Sequence, residues 1–387
     1  MRIVTLLQPN KIVFGQGCAT QCAEDILAEG FKRALIVTSP PIVGLAEPLA
    51  DALKAGGAAV RVYAEIATEP SVSTFEAALE AARAFEPDAV IGLGGGSAID
   101  VAKLVAALYD GRTHSEARQE VGEVFGIGQL ASRALYLASL PTTAGTGSEV
   151  TPIAILLDEA ENLKKGIVSP HLVPDAAYVD PLLTVGLPPA ITAATGLDAL
   201  THCIECYANK FAHPAVDLYA IQGIRLIAAN LIRAVEHGDD LEARANMALG
   251  SLYGGLCLAP VNTAAVHALS YPLGGEFHVA HGISNAVLLP HVVRHNLPAA
   301  PERYAQMALA MGIEPGGTDE ETAERGVARL FELYHACGLP SSMSELGVPE
   351  DAIPGMAEAA MKVTRLLKNN LRELTAAEAE AIYRAAY

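Results

Sequence analysis

Asp88-Ala-Val-Ile-Gly-Leu-Gly-Gly-Gly-Ser97 is the stretch whose reading decides the fold. Asp88 to Leu93 reads as a buried strand that runs straight into Gly94-Gly95-Gly96-Ser97, and Ala98 to Tyr109 has helical spacing. A strand, a glycine turn and a helix in that order form the unit of a parallel sheet, whose ligands sit beyond the carboxyl ends of its strands. Missing β-carbons let backbone N–H groups approach a phosphate, and the dipole of the following helix favours negative charge. The motif is neither G-x-G-x-x-G nor a P-loop, because no Gly-Lys-Ser/Thr follows it. A tight turn with no ligand is the bland alternative.

Outward from this unit the pattern repeats. Ala34–Thr38 and Ala59–Tyr63 read as strands, Gly44–Ala55 and Val72–Phe85 as helices, and the opening MRIVTLLQPN as a first strand. Downstream, Leu135–Leu140 reads as another buried strand, followed by Pro141-Thr-Thr-Ala-Gly-Thr-Gly-Ser-Glu-Val-Thr151. Small hydroxyl residues interleaved with glycine offer donors to phosphate and ribose oxygens without bulk. Two such loops at strand ends of one sheet fit a dinucleotide better than two unrelated turns. The stretch 111–132, with His114, reads as a connection capped by a short helix, and Ile153–Leu157, Gly166–Val168 and Ala176–Val179 as closing strands. Near-continuous apolar strands separated by helices imply a parallel sheet covered on both faces.

Beyond Leu187-Pro188-Pro189-Ala190 the β-branched runs nearly vanish and apolar residues recur every three or four positions. The helices expected are 189–208, 215–236, 241–258, 263–274, 281–296, 300–311, 320–337, 350–359 and 376–386. The expectation is therefore a Rossmann-like α/β domain over 1–186 and an all-α domain over 187–387, with a cleft between them.

Composition limits the function. The 387 residues are 51% hydrophobic and 18% charged, as in a well-packed soluble protein, and exceed one ordinary core. A formal net charge of −18 argues against nucleic acid and anionic membrane as partners. No apolar run approaches the roughly 20 residues that span a bilayer, and the start does not read as a signal peptide. Six cysteines in so long a chain are not a disulfide framework, which makes the cytoplasm the expected compartment. Cys203 and Cys206 lie inside a helical pattern and read as packing.

The chemistry-bearing residues lie in the second half. In Gly196-Leu-Asp-Ala-Leu-Thr-His-Cys-Ile-Glu-Cys206, a helix places Asp198 and His202 one turn apart on one face, where they can take adjacent positions on one divalent ion. Taken alone, the pair reads as an ordinary helix-face acid and a half-buried histidine. His267, and either His281 or its near neighbour His278, can complete a site of three imidazoles and one carboxylate, while His291 and His295 can be a plain helical pair.

GLDALTHCIE, VHALSYPLGG and HVAHG, with GGGSAIDVAK and PTTAGTGSEVT, closely resemble the iron-containing (group III) alcohol dehydrogenases, whose fold is that of dehydroquinate synthase. The resemblance runs essentially end to end. It implies metal ligands at Asp198, His202, His267 and His281, leaving His278 out. It implies a pyrophosphate loop at Gly95, Gly96, Ser97 and Asp100, and cofactor contacts at Thr142, Thr143, Thr146, Lys164 (or Lys165) and Leu182. The implied reaction passes a hydride between NAD(P)(H) and a small primary alcohol or aldehyde, with Fe(II), or Zn(II) or another divalent ion, polarising the substrate oxygen. The implied assembly is a homodimer or larger homo-oligomer.

Three departures from the family pattern bear on function. Tyr271 stands where many members carry a histidine four residues after the third ligand. With an ordinary pKa near 10 it is a poor base at neutral pH, so its expected role is to orient substrate while the proton leaves through ribose hydroxyls and water. After the second parallel strand, Ser39-Pro40-Pro41 replaces the acidic residue of NAD-preferring members, so NADP(H) is expected to be tolerated, with Ser39 able to bond its phosphate. In Thr364–Arg372, Leu371 replaces the proline of a usual Asn-Pro-Arg. This segment is either a solvated basic helix end or a source of cations that favour a hydroxy acid or semialdehyde. Alternatives to a simple alcohol dehydrogenase are a hydroxyacid–oxoacid transhydrogenase or semialdehyde reductase on the same fold, and, from another class, a non-catalytic nucleotide- or metal-binding protein.

Overall fold

The computed structural model describes residues 2–387 except 68, 112–118 and 162. His114 lies outside the described residues, with the rest of 112–118. The chain divides into a sheet unit, 7–143 with 147–184, and a helical unit, 185–387 with 2–6 and 144–146.

In the sheet unit the elements are β1 (Lys11–Phe14), α1 (Ala19–Ala28), β2 (Arg33–Val37), α2 (Glu47–Ala55), β3 (Ala59–Tyr63), α3 (Val72–Phe85), β4 (Ala89–Gly94), α4 (Gly96–Leu108), β5 (Gly126–Ile127), β6 (Tyr136–Pro141), β7 (Ile153–Asp158), β8 (Leu163–Val168) and β9 (Ala176–Val179). Six strands form one all-parallel sheet in the order β1-β9-β6-β4-β2-β3. Successive side chains of a strand point to opposite faces. Accordingly Leu35, Val37, Val90 and Leu137 pack with α3 and α4, and Ala34, Ile36, Ile91 and Leu140 with α1 and α2. The helices that follow β2 and β4 thus lie on opposite faces, which opens a crevice beyond the carboxyl ends of these neighbouring strands. Gly94 stands at its floor. A β-carbon there would come 2.7 Å from Ala98 Cβ, so α4 can follow β4 this tightly only because the position is glycine.

Several details differ from the sequence reading. MRIVTLLQPN is not a strand: β1 begins at Lys11, because Arg2 anchors the preceding residues in the helical unit by donating to Phe211 O and Pro260 O. α1 has no counterpart in the sequence reading. Residues 40–46 form a 3-10 turn before α2 rather than the first turns of an α-helix, with two prolines at its start. β7 and β8 pair antiparallel and, with β5, make a separate three-stranded sheet. In the 111–132 connection the described helical turn is a 3-10 turn, Val121–Glu123, closed by a capping box from Glu120 and Glu123.

The helical unit comprises α5 (Pro189–Tyr207), α6 (Pro214–Glu236), α7 (Leu241–Leu258), α8 (Ala265–Phe277), α9 (His281–Asn296), α10 (Pro301–Ala310), α11 (Asp319–Ala336), α12 (Ile353–Ala360), α13 (Thr364–Leu367) and α14 (Ala376–Ala385). Side chains mark several starts: His213, Asp240, Thr318 and Thr375 each accept a first-turn N–H. α6 is, contrary to the sequence reading, long and apolar enough to cross a bilayer by length and composition. It instead packs against α5 and α7, with Ile224, Ile227 and Leu231 buried.

Candidate metal centre and nucleotide loops

α5 sets out one wall of the metal centre. Asp198, His202 and Glu205 follow at spacings of four and three, so they share a face of this helix, and all three are buried. α8 brings His267 and α9 brings His281. Gly282, directly after His281, is the reason α9 starts so close to α5: a β-carbon there would lie 2.3 Å from Ala194 O. Asp198 Oδ1 then stands 3.9 Å from His202 Nε2, 3.8 Å from His267 Nε2 and 3.6 Å from His281 Nε2. His278 is exposed, in the left-handed conformation that ends α8, and takes no part.

The other ring nitrogens show which lone pairs are free. His267 Nδ1 donates to Glu205 Oε2 at 2.6 Å, and Glu205 Oε1 accepts the Val266 N–H at 2.6 Å. His202 Nδ1 faces Gly145 O at 3.3 Å. With Nδ1 serving as donor in both, the Nε2 lone pairs turn inward, the arrangement that outer carboxylates and carbonyls impose on metal-binding histidines. Asn285, fully buried one turn after His281, donates from Nδ2 to Asp198 Oδ1 at 2.8 Å and lies 3.2 Å from Nε2 of both His267 and His281. Its own Oδ1 has no hydrogen-bond partner among the described residues.

Charge follows the same design. Burial pushes the His202 imidazole down, against the opposing pull of the Asp198 carboxylate. Burial also works against the Asp198 charge, yet His202, His281, His267 and the Asn285 amide together hold its carboxyl below the usual range. Metal bonds of about 2.0–2.2 Å around one ion place ligand atoms roughly 3–3.5 Å apart, so these separations fit a divalent ion after a small contraction. Among the described residues, Asp198, His267 and His281 form a group of ligand-type atoms that can hold a metal ion. His281 is the most exposed of the three histidines, which leaves the centre approachable from its side.

In the sheet unit, Gly95, Gly96 and Ser97 are the accessible residues of an otherwise buried run, and no side chain caps the N-terminus of α4. Its first N–H groups are therefore available to an anion. Thr142 N donates to Gly94 O at 3.0 Å, and Thr143 lies beside Gly95, so the two loops are neighbours. Asp100 is turned away from this patch. Its oxygens accept Ser148 Oγ–H at 2.6 Å and Ile155 N–H at 2.9 Å, which makes it a brace between the loops. Lys103 beneath it is fully buried, donating to Thr151 O and Ile153 O, and burial lowers its pKa to about 8. Ser39 flanks the 3-10 turn after β2, at the crevice, and its side chain caps nothing. Lys164 pairs with Glu69 at 2.7 Å, Lys165 with Asp158 and Glu161, and Leu182 is exposed in a turn after β9. Thr146, half-buried, belongs with Gly145 to the helical unit.

Tyr271 lies one turn beyond His267 on α8. Burial raises its pKa against the opposing pull of Arg365, whose guanidinium is 3.5 Å from the hydroxyl. The partners that sequence reasoning passed over are Glu205, Asn285 and the Gly145 carbonyl. Glu205 carried a signal, an acid in an apolar helix on the same face as Asp198 and His202, whereas Gly145 O carried none.

Residues 9–181 match the iron-containing alcohol dehydrogenase model and residues 192–387 the C-terminal model of the Fe-containing alcohol dehydrogenase family. A long-chain-alcohol dehydrogenase 1 of Geobacillus thermodenitrificans is 39% identical over 100% of this chain and 98% of its own. A crystal structure of 1,3-propanediol oxidoreductase superposes with a TM-score of 0.95 at 36% identity, covering 100% of both chains. Sulfoacetaldehyde reductase from Bifidobacterium kashiwanohense, solved in complex with NAD+, gives 0.90 at 29%, covering 100% of this chain and 99% of that one. The chain belongs to the iron-containing alcohol dehydrogenase family. It is a metal-dependent alcohol dehydrogenase/aldehyde reductase of this iron-containing family.

Proposed function

We propose that Asp198, His202, His267 and His281 hold the metal, Fe(II) by family, and that the crevice of the sheet unit binds the nucleotide of NAD(H) or NADP(H). The observation that carries this is one buried carboxylate oxygen within 3.6–3.9 Å of three imidazole Nε2 atoms. When bound, a divalent ion supplies Lewis acidity that polarises the oxygen of an alcohol or aldehyde. Glu205 and Gly145 O hold two of the imidazoles in the ligating tautomer, and Asn285 fixes Asp198. The N-terminus of α4 receives the pyrophosphate through Gly95, Gly96 and Ser97, with Thr142 and Thr143 alongside, while Asp100 braces the loops. Tyr271, whose raised pKa keeps it protonated, donates a hydrogen bond to the substrate rather than acting as a base. Domain roles follow these sites: nucleotide binding in the first half of the chain, metal and substrate binding in the second. Six free cysteines, five of them buried, fit a cytoplasmic protein.

Metal analysis with NAD(P)H oxidation by propanal, lactaldehyde and succinic semialdehyde tests the reading. Stoichiometric metal and turnover are expected, with Asp198→Ala and His202→Ala losing both. Metal retained by the double variant overturns the ligand set. With Ser39 in place of a carboxylate at the end of β2, both cofactors should be used and NADP(H) at least tolerated, and a strong NAD(H) preference in kcat/KM refutes that part.

A further inference from the structure

The three cations of the Thr364–Arg372 segment are not equivalent. Arg372 is engaged by the fold, its Nη1 donating to His295 O at 2.6 Å and its Nη2 lying 3.3 Å from Glu378 Oε1. Lys368 is exposed. Arg365 is half-buried, and among the described residues its one hydrogen-bond partner is the Tyr271 hydroxyl, with no carboxylate within ion-pair distance.

Nor is this segment a solvated helix end. Asn369 Nδ2 donates to Thr263 O at 2.7 Å, Lys210 N donates to Asn369 O at 2.9 Å, and Asn370 exchanges amide bonds of 2.7 and 2.8 Å with Asn296. Asn209, bridged to Asn370, donates to Glu205 O at 3.0 Å. Buried amides thus run from Arg365's segment to α5, the helix of Asp198 and His202. Tyr271 lies one turn past His267, about 5.4 Å along α8 and on the same helix face, and it is the hydroxyl of this residue that Arg365 contacts. A half-buried guanidinium without a counter-ion is electrostatically incomplete, and its planar fork matches a carboxylate. Its 3.5 Å contact with Tyr271 is at the limit of a hydrogen bond and can be exchanged for a stronger one.

We propose that Arg365 receives a carboxylate of the substrate, which makes the enzyme one for short hydroxy acids and their semialdehydes. This rests on the metal site proposed above. The test compares succinic semialdehyde with pentanal, a neutral aldehyde of similar length, in the metal-loaded wild type and Arg365→Gln. Wild type is expected to favour the acid. In the variant the ratio of the two kcat/KM values should fall about 10- to 100-fold, chiefly through KM for the acid, with Arg365→Lys recovering part. Equal losses on both substrates leave the ratio unchanged, mark Arg365 as only a support for Tyr271, and overturn the proposal. An absence of preference in the wild type does the same. Calorimetric binding of 4-hydroxybutyrate gives a readout free of turnover. Binding at least tenfold weaker in Arg365→Gln supports the proposal even if neither aldehyde is reduced, a result that would sink the metal-site reading alone, and equal binding overturns it.

Discussion

Glu205→Gln keeps the volume of a buried side chain and removes its charge. Glu205 accepts two N–H groups, from Val266 and from His267 Nδ1, both at 2.6 Å. Glutamine offers one acceptor oxygen and one NH2 group, so one of those N–H groups must face another donor. A hydrogen bond to a charged acceptor contributes about 1.5–3 kcal/mol, and a domain of about 200 residues shifts by about 2–4 °C per kcal/mol, so Tm should fall by roughly 3–12 °C. Metal binding should suffer separately. Without the carboxylate, His267 is no longer held with Nε2 free, and loss of such an outer partner typically weakens metal binding 10- to 100-fold. Competition of Co(II) or Zn(II) against a chelator of known affinity, in wild type and Glu205→Gln, reads that change directly. A Kd within twofold of wild type, with Tm lowered, would refute the reasoning and leave Glu205 as a packing element.

Other outcomes follow from the same contacts. Tyr271→Phe should lower turnover through loss of the hydroxyl, and an unchanged rate and pH–rate profile would sink its assigned role. Gly94→Ala places a β-carbon 2.7 Å from Ala98 Cβ, so it should cost about 1–3 kcal/mol in denaturant unfolding and weaken NAD(H) binding by calorimetry. Burial pushes the Glu149 carboxyl up to about 7 from its ordinary 4.5, so the folded chain holds the extra proton and stability declines as pH rises through that window. Glu149→Gln should therefore gain on wild type by about 3 kcal/mol at pH 8 and by little at or below pH 4.5. A pH-independent difference in urea melts would contradict this.

Much of the fold was legible because its signals are local. Ala59–Tyr63, Val72–Phe85, Leu241–Leu258 and His281–Asn296 have the bounds that their apolar periodicity implies. The opening strand was misread because MRIVTL has strand composition while its attachment, Arg2 to Phe211 and Pro260, is a long-range fact. β7 and β8 have good strand patterns, but which sheet they join depends on partners rather than on their own residues. In the site, helical spacing alone put Asp198 beside His202. The approach of His267 and His281 needs the packing of three helices and the missing side chain of Gly282. Asn285 had no distinguishing pattern, since an asparagine one turn after a histidine is common on helix surfaces.

The assignment of residues 144–146 and 2–6 to the helical unit has a consequence for how the chain matures. During synthesis Gly145 emerges 57 residues before His202, whose ring it steadies, and Arg2 emerges 209 residues before Phe211. The helical half therefore closes around pieces made long before it, and contacts of such sequence separation are slow to form. A fragment beginning at residue 187 would lack the Gly145 carbonyl and the Arg2 anchor. Dissecting this enzyme at its apparent boundary should yield a helical fragment whose metal affinity is lower than that of the intact chain, restored when a peptide spanning 141–151 is supplied in trans.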